Sequence, residues 1–391
     1  MNTNTGFRHL RRSLLVSRSK FSFITAVALV FAAITATTLG AYVRTGGSGV
    51  RTSFGEIEGF GSIVVNGAHY DESAANIIVE GAPGQSRAAL KLGMIVQIDG
   101  VLDYALNTGV ADVVRVDRVL FGQVESINSS TAEVKILQQR VAVSVTTRFD
   151  GALGLGELMT GDWIAVHGLQ DPGRKSVVAT LIERVAAPSD GGSSIRGTVQ
   201  KLQQGKLRIG KLDILVANTG AQDGDFVSVK GDYLSGALVA TEAVVTQEVK
   251  TRENVETELQ GYVSEFRSIG EFTIAGVVID ASSASFSGGR ASDLHQNVRV
   301  TVEGPIRNGV LIAEEVEFPS ATSSSASIEL EGVVTSFSSL ADFVVKGQRI
   351  DASNVVSTSS RIPKAGWKAH VKGIVAADGT IKATKAEFER P

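Results

Sequence analysis

A short glycine-bounded segment recurs along this chain of 391 residues and constrains its fold more than any other feature. The pattern is Gly-x-x-hydrophobic-x-hydrophobic-x-Gly, and four copies lie at residues 93–100, 161–168, 224–231 and 366–373. A fifth copy, at residues 297–304, begins with Asn297 instead of Gly. Because Asn tolerates a positive φ better than most residues with a side chain, the exchange predicts a left-handed turn at the entry to the strand.

Each copy lies inside a longer unit that repeats with a loose period of about 70 residues. A strand-like opener precedes the glycine-bounded strand, and a closing strand with alternating apolar residues follows it. This period-two alternation is typical of strands with one buried face. The openers begin at Gly55, Gly122, Gly197, Gly261 and Gly332.

Between the opener and the glycine-bounded strand lies a hairpin whose second arm ends in Asp in three copies, at Asp71, Asp280 and Asp351. The dipeptide Asn66-Gly67 predicts a two-residue type I′ turn. A carboxylate at one place in three modules could bind a cation or a ligand hydroxyl. The interpretation that we favour is that each Asp caps the following turn through an Asx hydrogen bond.

These elements predict about five short strands per module, with a less regular stretch before the fourth strand that has room for one helical turn. That order is typical of a small closed barrel of the oligonucleotide/oligosaccharide-binding (OB) topology. Closure removes sheet edges that a module of this size could not otherwise cover. The predicted fold is therefore all-β, with about five tandem five-stranded OB-like barrels after an N-terminal hydrophobic helix. The predicted barrels occupy residues 55–117, 120–187, 195–247, 258–318 and 328–390.

Composition predicts how the modules are joined. Residues 188–194 and 319–327 are rich in Ser, Gly and Pro and predict flexible linkers, and 247–258 predicts a charged connector. The joint at residues 117–120 is so short that the first two modules are expected to pack together.

The N-terminus predicts export. Residues 1–20 carry five basic and no acidic side chains and predict a cytoplasmic tail, and residues 21–43 contain no charged residue. A helix of that length rises about 34 Å, enough to cross a hydrocarbon core of about 30 Å. Two interpretations remain, an uncleaved transmembrane anchor, which the length favours, and a signal segment cut near residues 38–41.

Composition also excludes several classes of site. The absence of Cys excludes disulfides, thiol nucleophiles, Cys-built metal sites and a lipoprotein anchor. No Walker A loop, nucleophile elbow or His-Glu-x-x-His helix occurs. The histidines show no metal-ligand spacing, and structural roles are predicted for them. Recurrent aromatic residues are predicted to fill barrel cores, namely Phe60, Trp163, Phe226, Phe266, Phe337, Phe343 and Trp367.

The first module resembles a known bacterial family. The segment from Phe60 to Gly67, with Tyr70-Asp71 and the later run from Leu90 to Val96, resembles the domain of unknown function 5666. Copies four and five are similar to the same pattern, and copies two and three are less similar because they lack the Asn-Gly turn and the terminal Asp. The resemblance implies an exported bacterial protein of tandem small β domains, and it brings no catalytic residues with it.

We therefore expect a non-catalytic extracytoplasmic protein, with several binding or spacer modules in the bacterial cell envelope and no cofactor. The alternative is an envelope sensor or binding protein for a small ligand or glycan held by barrel loops, and an enzyme is least favoured. The expected location is the inner membrane, contacted through residues 21–43, with the bulk in the periplasm, or secretion if the segment is cleaved. An envelope protein or a glycan is the expected partner. Nucleic acid is not, because the whole chain carries −3 and the N-terminal segment +5, which leaves −8 for the rest.

Overall fold

Thirty β strands and three 3₁₀ turns make up the part of the chain that the computed structural model describes. The described residues are 47–189, 192–203, 205–217, 220–319, 327–345, 348–355, 363–376 and 380–390. The predicted basic tail and the predicted membrane or signal segment at 21–43 lie outside them. Among the residues described, no helix combines the length and the apolar character needed to cross a bilayer.

The strands fall into successive groups, which we number as modules one to five after the predicted ranges. Module one contains β1 (Ser48–Gly59), β2 (Ile63–Val65), β3 (Ala68–Asp71), β4 (Asn76–Val79), β5 (Ile95–Asp103) and β6 (Thr108–Val116). β1 pairs with β2, β2 with β3, β3 in parallel with β6, β6 with β5, and β5 with β1. The five strands thus form a closed circuit with the OB order of neighbours.

Module two repeats this circuit. It contains β7 (Leu120–Asn128), β8 (Glu133–Ile136), β9 (Gln139–Ala142), β10 (Arg148–Asp150), β11 (Trp163–Asp171) and β12 (Ser176–Val185). β7 pairs with β8, β8 with β9, β9 with β12, β12 with β11, and β11 with β7. The circuit therefore closes as it does in module one.

Module three differs because its first strand is divided. It contains β13 (Ser193–Thr198), β14 (Lys201–Gln203), β15 (Lys206–Ile209), β16 (Leu212–Leu215), β17 (Phe226–Leu234) and β18 (Ala237–Thr246). β13 pairs with β17, and β14 pairs with β15. The two short strands together take the place of the single first strand of the other modules.

Module four contains β19 (Glu256–Ser268), β20 (Glu271–Ile274), β21 (Val277–Asp280), β22 (Ser285–Ser287), β23 (Arg299–Arg307), β24 (Val310–Ile312) and β25 (Glu315–Glu317). Module five contains β26 (Ser327–Ser339), β27 (Asp342–Val345), β28 (Gln348–Asp351), β29 (Lys368–Val375) and β30 (Ile381–Glu389), which form a closed barrel. The fold is thus all-β with several small five-stranded barrels, as predicted. One 3₁₀ turn precedes the glycine-bounded strand in modules one, two and four, at Arg87–Ala89, Leu155–Glu157 and Ala291–Asp293.

Both ends of the glycine-bounded strand have a structural reason for Gly. The residue before the strand is left-handed in every copy, with φ of 85° at Gly93 and 72° at Asn297. The prediction from the Asn exchange is therefore confirmed. At the other end, a Cβ on Gly100 would lie 2.1 Å from the carbonyl oxygen of Val110, and one on Gly231 would lie 2.0 Å from that of Val239. The register shifts at both of these glycines, so the strands approach each other too closely for any side chain.

The aromatic residues predicted to fill the barrel cores do so at some strand positions and not at others. Phe60 and Phe343 are fully buried in barrel cores, as predicted. Phe266 and Phe337 are half-buried and pack against the clusters that line the cores. The prediction is wrong for Trp163, Phe226 and Trp367, which are half-buried and lie outside the core clusters. The residue after each of the first two, Ile164 and Val227, is the one that fills the core, because side chains alternate along a strand.

We predicted separate barrels joined by flexible linkers. For the described residues this prediction is wrong, because strands of different modules pair with each other. β1 begins at Ser48, earlier than predicted, and runs parallel to β19 from Arg51↔Glu256 to Phe54↔Leu259. β7 pairs with β13 between modules two and three. Modules one and five meet where the backbone N–H of Glu331 donates to the carbonyl oxygen of Phe60. The predicted linkers include residues 190–191 and 320–326, which lie outside the described residues.

The closing glycine supplies a stability test. G100A should lower the free energy of unfolding by roughly 1–3 kcal/mol, because the new Cβ overlaps the backbone of the paired strand. Urea denaturation measures the change. G156A is the matched control, since no atom lies within 4 Å of its Cβ position and its φ is ordinary. Equal effects of the two substitutions would contradict the close-approach explanation.

Candidate functional site

The parallel pairing of β1 with β19 places charged side chains of modules one and four face to face. In a parallel pair, residues in register project from the same face of the sheet, which brings Ser53 beside Glu258. Arg51 is only 4% exposed and lies between two carboxylates. Its Nη2 is 2.9 Å from Glu258 Oε1, and its Nη1 is 2.8 Å from Glu303 Oε1. One guanidinium of module one thus joins two strands of module four.

A hydroxyl pair links this ion pair to the core of module one. Arg51 Nε donates to Ser53 Oγ over 3.2 Å, and Ser53 Oγ lies 2.8 Å from the hydroxyl of Tyr70. Tyr70 is fully buried in the barrel core, and burial raises its pKa to about 12. Burial acts to lower the pKa of Arg51, but the charges of Glu258 and Glu303 outweigh it and raise that pKa, so Arg51 stays charged.

Farther along β1, Glu56 lies where three modules meet. Its Oε1 is 3.6 Å from Arg148 Nε of module two, and its Oε2 is 3.9 Å from Arg299 Nη2 of module four. Arg299 also donates to Gln260 Oε1 over 2.9 Å. Burial raises the pKa of Glu56 against the pull of both arginines. Burial lowers the pKa of Arg148, whose Nε and Nη1 make no hydrogen bond. Both ions are held in place at a desolvation cost.

Glu58 extends the same line of charge. It is half-buried, and its Oε2 accepts a hydrogen bond of 3.2 Å from the backbone N–H of Gly67 in the β2–β3 turn. Burial and the nearby charge of Glu56 raise its pKa to about 7. We call the whole set the charged seam. It consists of Arg51, Glu56, Glu58, Arg148, Glu258, Arg299 and Glu303.

The predicted charged connector is fastened beside the seam. Gln97 on β5 donates to the carbonyl oxygen of Lys250 over 3.0 Å and accepts from the Lys250 N–H over 2.9 Å. Asp99 accepts from Thr52 Oγ1 over 2.7 Å and forms ion pairs with Arg115 and with Arg252, the latter at 3.4 Å. The segment that leads into module four is therefore bonded to the outer face of module one.

A second ion cluster holds module two against module one, as the short joint predicts. Lys91 Nζ lies 2.6 Å from Asp150 Oδ2 and also pairs with Glu183. His167 Nε2 is 3.4 Å from Glu183 Oε1. Burial acts to raise the pKa of Glu183, but His167 and Lys91 outweigh it and hold that pKa at about 2. His167 thus lies in a structural ion cluster between modules.

The three predicted Asp positions each cap a turn of their own module. The Oδ1 atoms of Asp71, Asp280 and Asp351 accept the backbone N–H of the residue two places on, each over 2.9 Å. Hydrogen bonds from Ser73 lower the pKa of Asp71, and those from Ser282 lower the pKa of Asp280. Hydrogen bonds from Lys382 and Ser353 lower the pKa of Asp351. This is the Asx geometry that the sequence analysis favoured. No group of three or more acidic or His side chains among the described residues could hold a metal ion.

The charged seam was not predicted from the sequence, for an identifiable reason. Glu256, Glu258 and Gln260 occupy every second position of β19. Because Glu256 and Glu258 are charged, they were predicted to belong to the connector at 247–258 instead of a strand. Glu56 and Glu58 alternate in the same way in the opener of module one. Two openers with polar residues at every second position are a signal for strands with a polar face. Nothing local indicates which other strand that face meets.

Comparison with known families agrees with the repeated architecture. The model of the family described as a domain of unknown function (DUF5666) matches residues 121–183, 260–317 and 331–387. The chain carries DUF5666 domains in tandem. The matches cover modules two, four and five, so the Asn-Gly turn and terminal Asp, which module two lacks, are not required for membership. Arg51, Glu56, Glu58 and Glu258 of the charged seam lie outside the matched DUF5666 ranges.

Other comparisons add no functional information. No curated protein matches the chain. A solved structure described as "drosophila Unr CSD456" is 17% identical and covers 52% of this chain and 98% of its own, with a TM-score of 0.15. A superposition of that quality carries no argument about this DUF5666 protein.

The buried ion pair of the seam predicts a strong and specific coupling. R51L should cost about 3–5 kcal/mol of unfolding free energy, because it removes the cation between the buried carboxylate of Glu258 and the half-buried carboxylate of Glu303. The double variant R51L/E258L should lose about 1–3 kcal/mol less unfolding free energy than the sum of the losses in the two single variants. Urea denaturation of the four proteins gives the coupling. R267L is the control, since Arg267 forms an exposed pair with Glu271 that contributes little. Additive effects of R51L and E258L would contradict the coupling.

Acid should weaken the contact between modules one and two through Glu183. Its pKa is about 2 in the folded chain and 4.5 ordinarily, so its contribution is complete above about pH 5 and is lost as the pH falls towards 2. The difference in unfolding free energy between wild type and E183Q should therefore shrink by about 3 kcal/mol over that range. Urea denaturation at stepped pH measures it, with E265Q as the control on an exposed carboxylate. A constant difference for E183Q would show that Glu183 has no stabilising partner.

Proposed function

We propose that this DUF5666 protein is a non-catalytic binding scaffold of the bacterial cell envelope. In this proposal, five modules lie outside the cytoplasm, and residues 21–43 hold them at the inner membrane. The support for this location is the basic tail, followed by an uncharged run long enough to span a bilayer. The partner would be an envelope protein or a glycan.

The observation that carries the proposal is that the modules are joined to one another by strand pairing and buried ions. β1–β19, β7–β13 and the charged seam hold different barrels in fixed relative positions. Fixed positions suit a scaffold better than a flexible spacer, because binding loops that are already positioned lose less entropy when a partner binds. Weak contacts from several modules then add through their effective concentration.

The tips of the hairpins that join the last two barrel strands are the candidate contact points. Leu106 lies in this turn in module one, Leu234 ends β17 directly before the turn of module three, and the two are 69% and 59% exposed. Neither side chain contributes to a core cluster. Two exposed leucines on equivalent hairpins of a preorganised array are suited to anchor a partner with an apolar surface.

A thermal-shift screen of the full chain tests the proposal. Soluble envelope glycans should raise the unfolding temperature, whereas nucleotides and divalent cations should leave it unchanged. L106S/L234S should reduce the shift that any ligand produces, and A105S is the control at a neighbouring exposed position. If glycans give no shift, capture of a single envelope protein that depends on both leucines is the expected result.

Two results would overturn the proposal. One is turnover of any substrate by the purified chain that disappears when a single polar cluster is substituted. The other is an intact mass showing that the mature chain lacks residues 1–40, since the scaffold would then have no anchor.

A further inference from the structure

Three valines form an apolar row on the outer face of module one. Val50 on β1 is paired with Val101 on β5, and Val101 is paired with Val110 on β6. Register partners in antiparallel strands project from the same face of the sheet, with Cβ atoms about 5 Å apart. Leu102 fills the barrel core, so the neighbouring Val101 and its partners face outwards. The three valine side chains are 50%, 40% and 51% exposed, and we call them the valine row.

The valine row lies at the open end of this outer face. Farther along the sheet, Thr52 on β1 is paired with Asp99 on β5, and both side chains are buried together with Gln97. The connector between modules three and four covers them, because Lys250 bonds to Gln97 through its backbone and Arg252 pairs with Asp99. The connector thus covers the face as far as Asp99 and leaves the valine row exposed.

The open end is also the end at which the chain enters module one. The uncharged segment ends at residue 43, and the first described residue is Gly47, whose carbonyl oxygen accepts the N–H of Tyr104 over 3.3 Å. The chain from residue 43 to Gly47 can span at most about 14 Å, and from residue 43 to Val50 at most about 25 Å. A bilayer that is crossed by residues 21–43 is therefore within reach of the valine row.

We infer that the valine row of module one lies against the surface of the lipid bilayer. This inference rests on the proposed anchoring through residues 21–43 and adds a second membrane contact to it. Three half-exposed valines are too small an apolar surface to hold a free protein on a membrane. The short tether changes this, because it keeps the row at a high effective concentration beside the lipid, where a weak contact is sufficient.

The charges beside the valine row indicate an apolar contact rather than an electrostatic one. Asp103 on β5 and Asp112 on β6 each lie two residues from the row. An anionic lipid surface would repel both carboxylates, so the contact is expected with uncharged lipid and should be insensitive to salt. Leu106 belongs to the same hairpin, so a scaffold partner that binds there would lie close to the bilayer.

Fluorescence quenching in the full chain tests the inference, because a chain without Cys accepts a label at a single introduced thiol. T108C carries a nitrobenzoxadiazole fluorophore beside the valine row, since Thr108 is exposed and projects from the same face as Val110. A82C is the matched control. Ala82 is exposed and lies near Val116, about 20 Å along β6 from Val110. In phosphatidylcholine vesicles, a spin-labelled lipid should quench T108C and leave A82C unquenched, at low and at high salt.

A second variant separates contact from nearness. V50S/V101S/V110S in the T108C chain should abolish the quenching while the protein still floats with the vesicles. Quenching that persists would overturn the inference, because the tether alone would then explain it. An unquenched T108C label on the unaltered row would also overturn it, as would cross-linking of two T108C chains, which would make a second copy the occupant. If the wild-type chain does not float with vesicles, the proposed anchoring fails and the inference fails with it.

Discussion

The first strand of a module pairs with strands of its own barrel and with a strand of another module, and the architecture of the chain depends on both pairings. In module one, the second half of β1 pairs with β2 and closes the barrel. The first half of β1 pairs with β5 along one edge only. The other edge carries unpaired backbone groups that a small module cannot cover by itself. In this chain β1 pairs with β19 along that edge, and β7 pairs with β13. Barrel closure and module assembly are thus two uses of the same strand.

Charge decides which edges meet. The β1–β19 contact places Arg51 between Glu258 and Glu303, and it places Glu56 between Arg148 and Arg299. A mispaired edge would leave these charges buried without partners, which is more costly than the correct pairing is stabilising. The seam therefore selects the partner strand more than it adds stability.

Much of the repeated unit was predictable because its determinants are local. The left-handed entry at Gly93 and Asn297 and the two-residue turn at Asn66-Gly67 depend on backbone conformations that few residues adopt. The Asx caps at Asp71, Asp280 and Asp351 depend only on the residue two places on. The aromatic positions were less predictable, because Trp163 and Phe226 precede the residue that actually faces the core.

By itself, the sequence determined the module, its strand order and the points where glycine is required. These follow from hydrophobic period and backbone sterics, which act over a few residues. Only the tertiary structure decided that β1 pairs with β19, that Glu56 contacts two other modules, and that residues 193–194 and 256–258 belong to paired strands. Such pairings join residues about 200 positions apart in the chain, and many strand edges are equally able to form them by backbone alone. The choice among them is made by the charges and the shapes of complete barrels, which exist only once each module has folded.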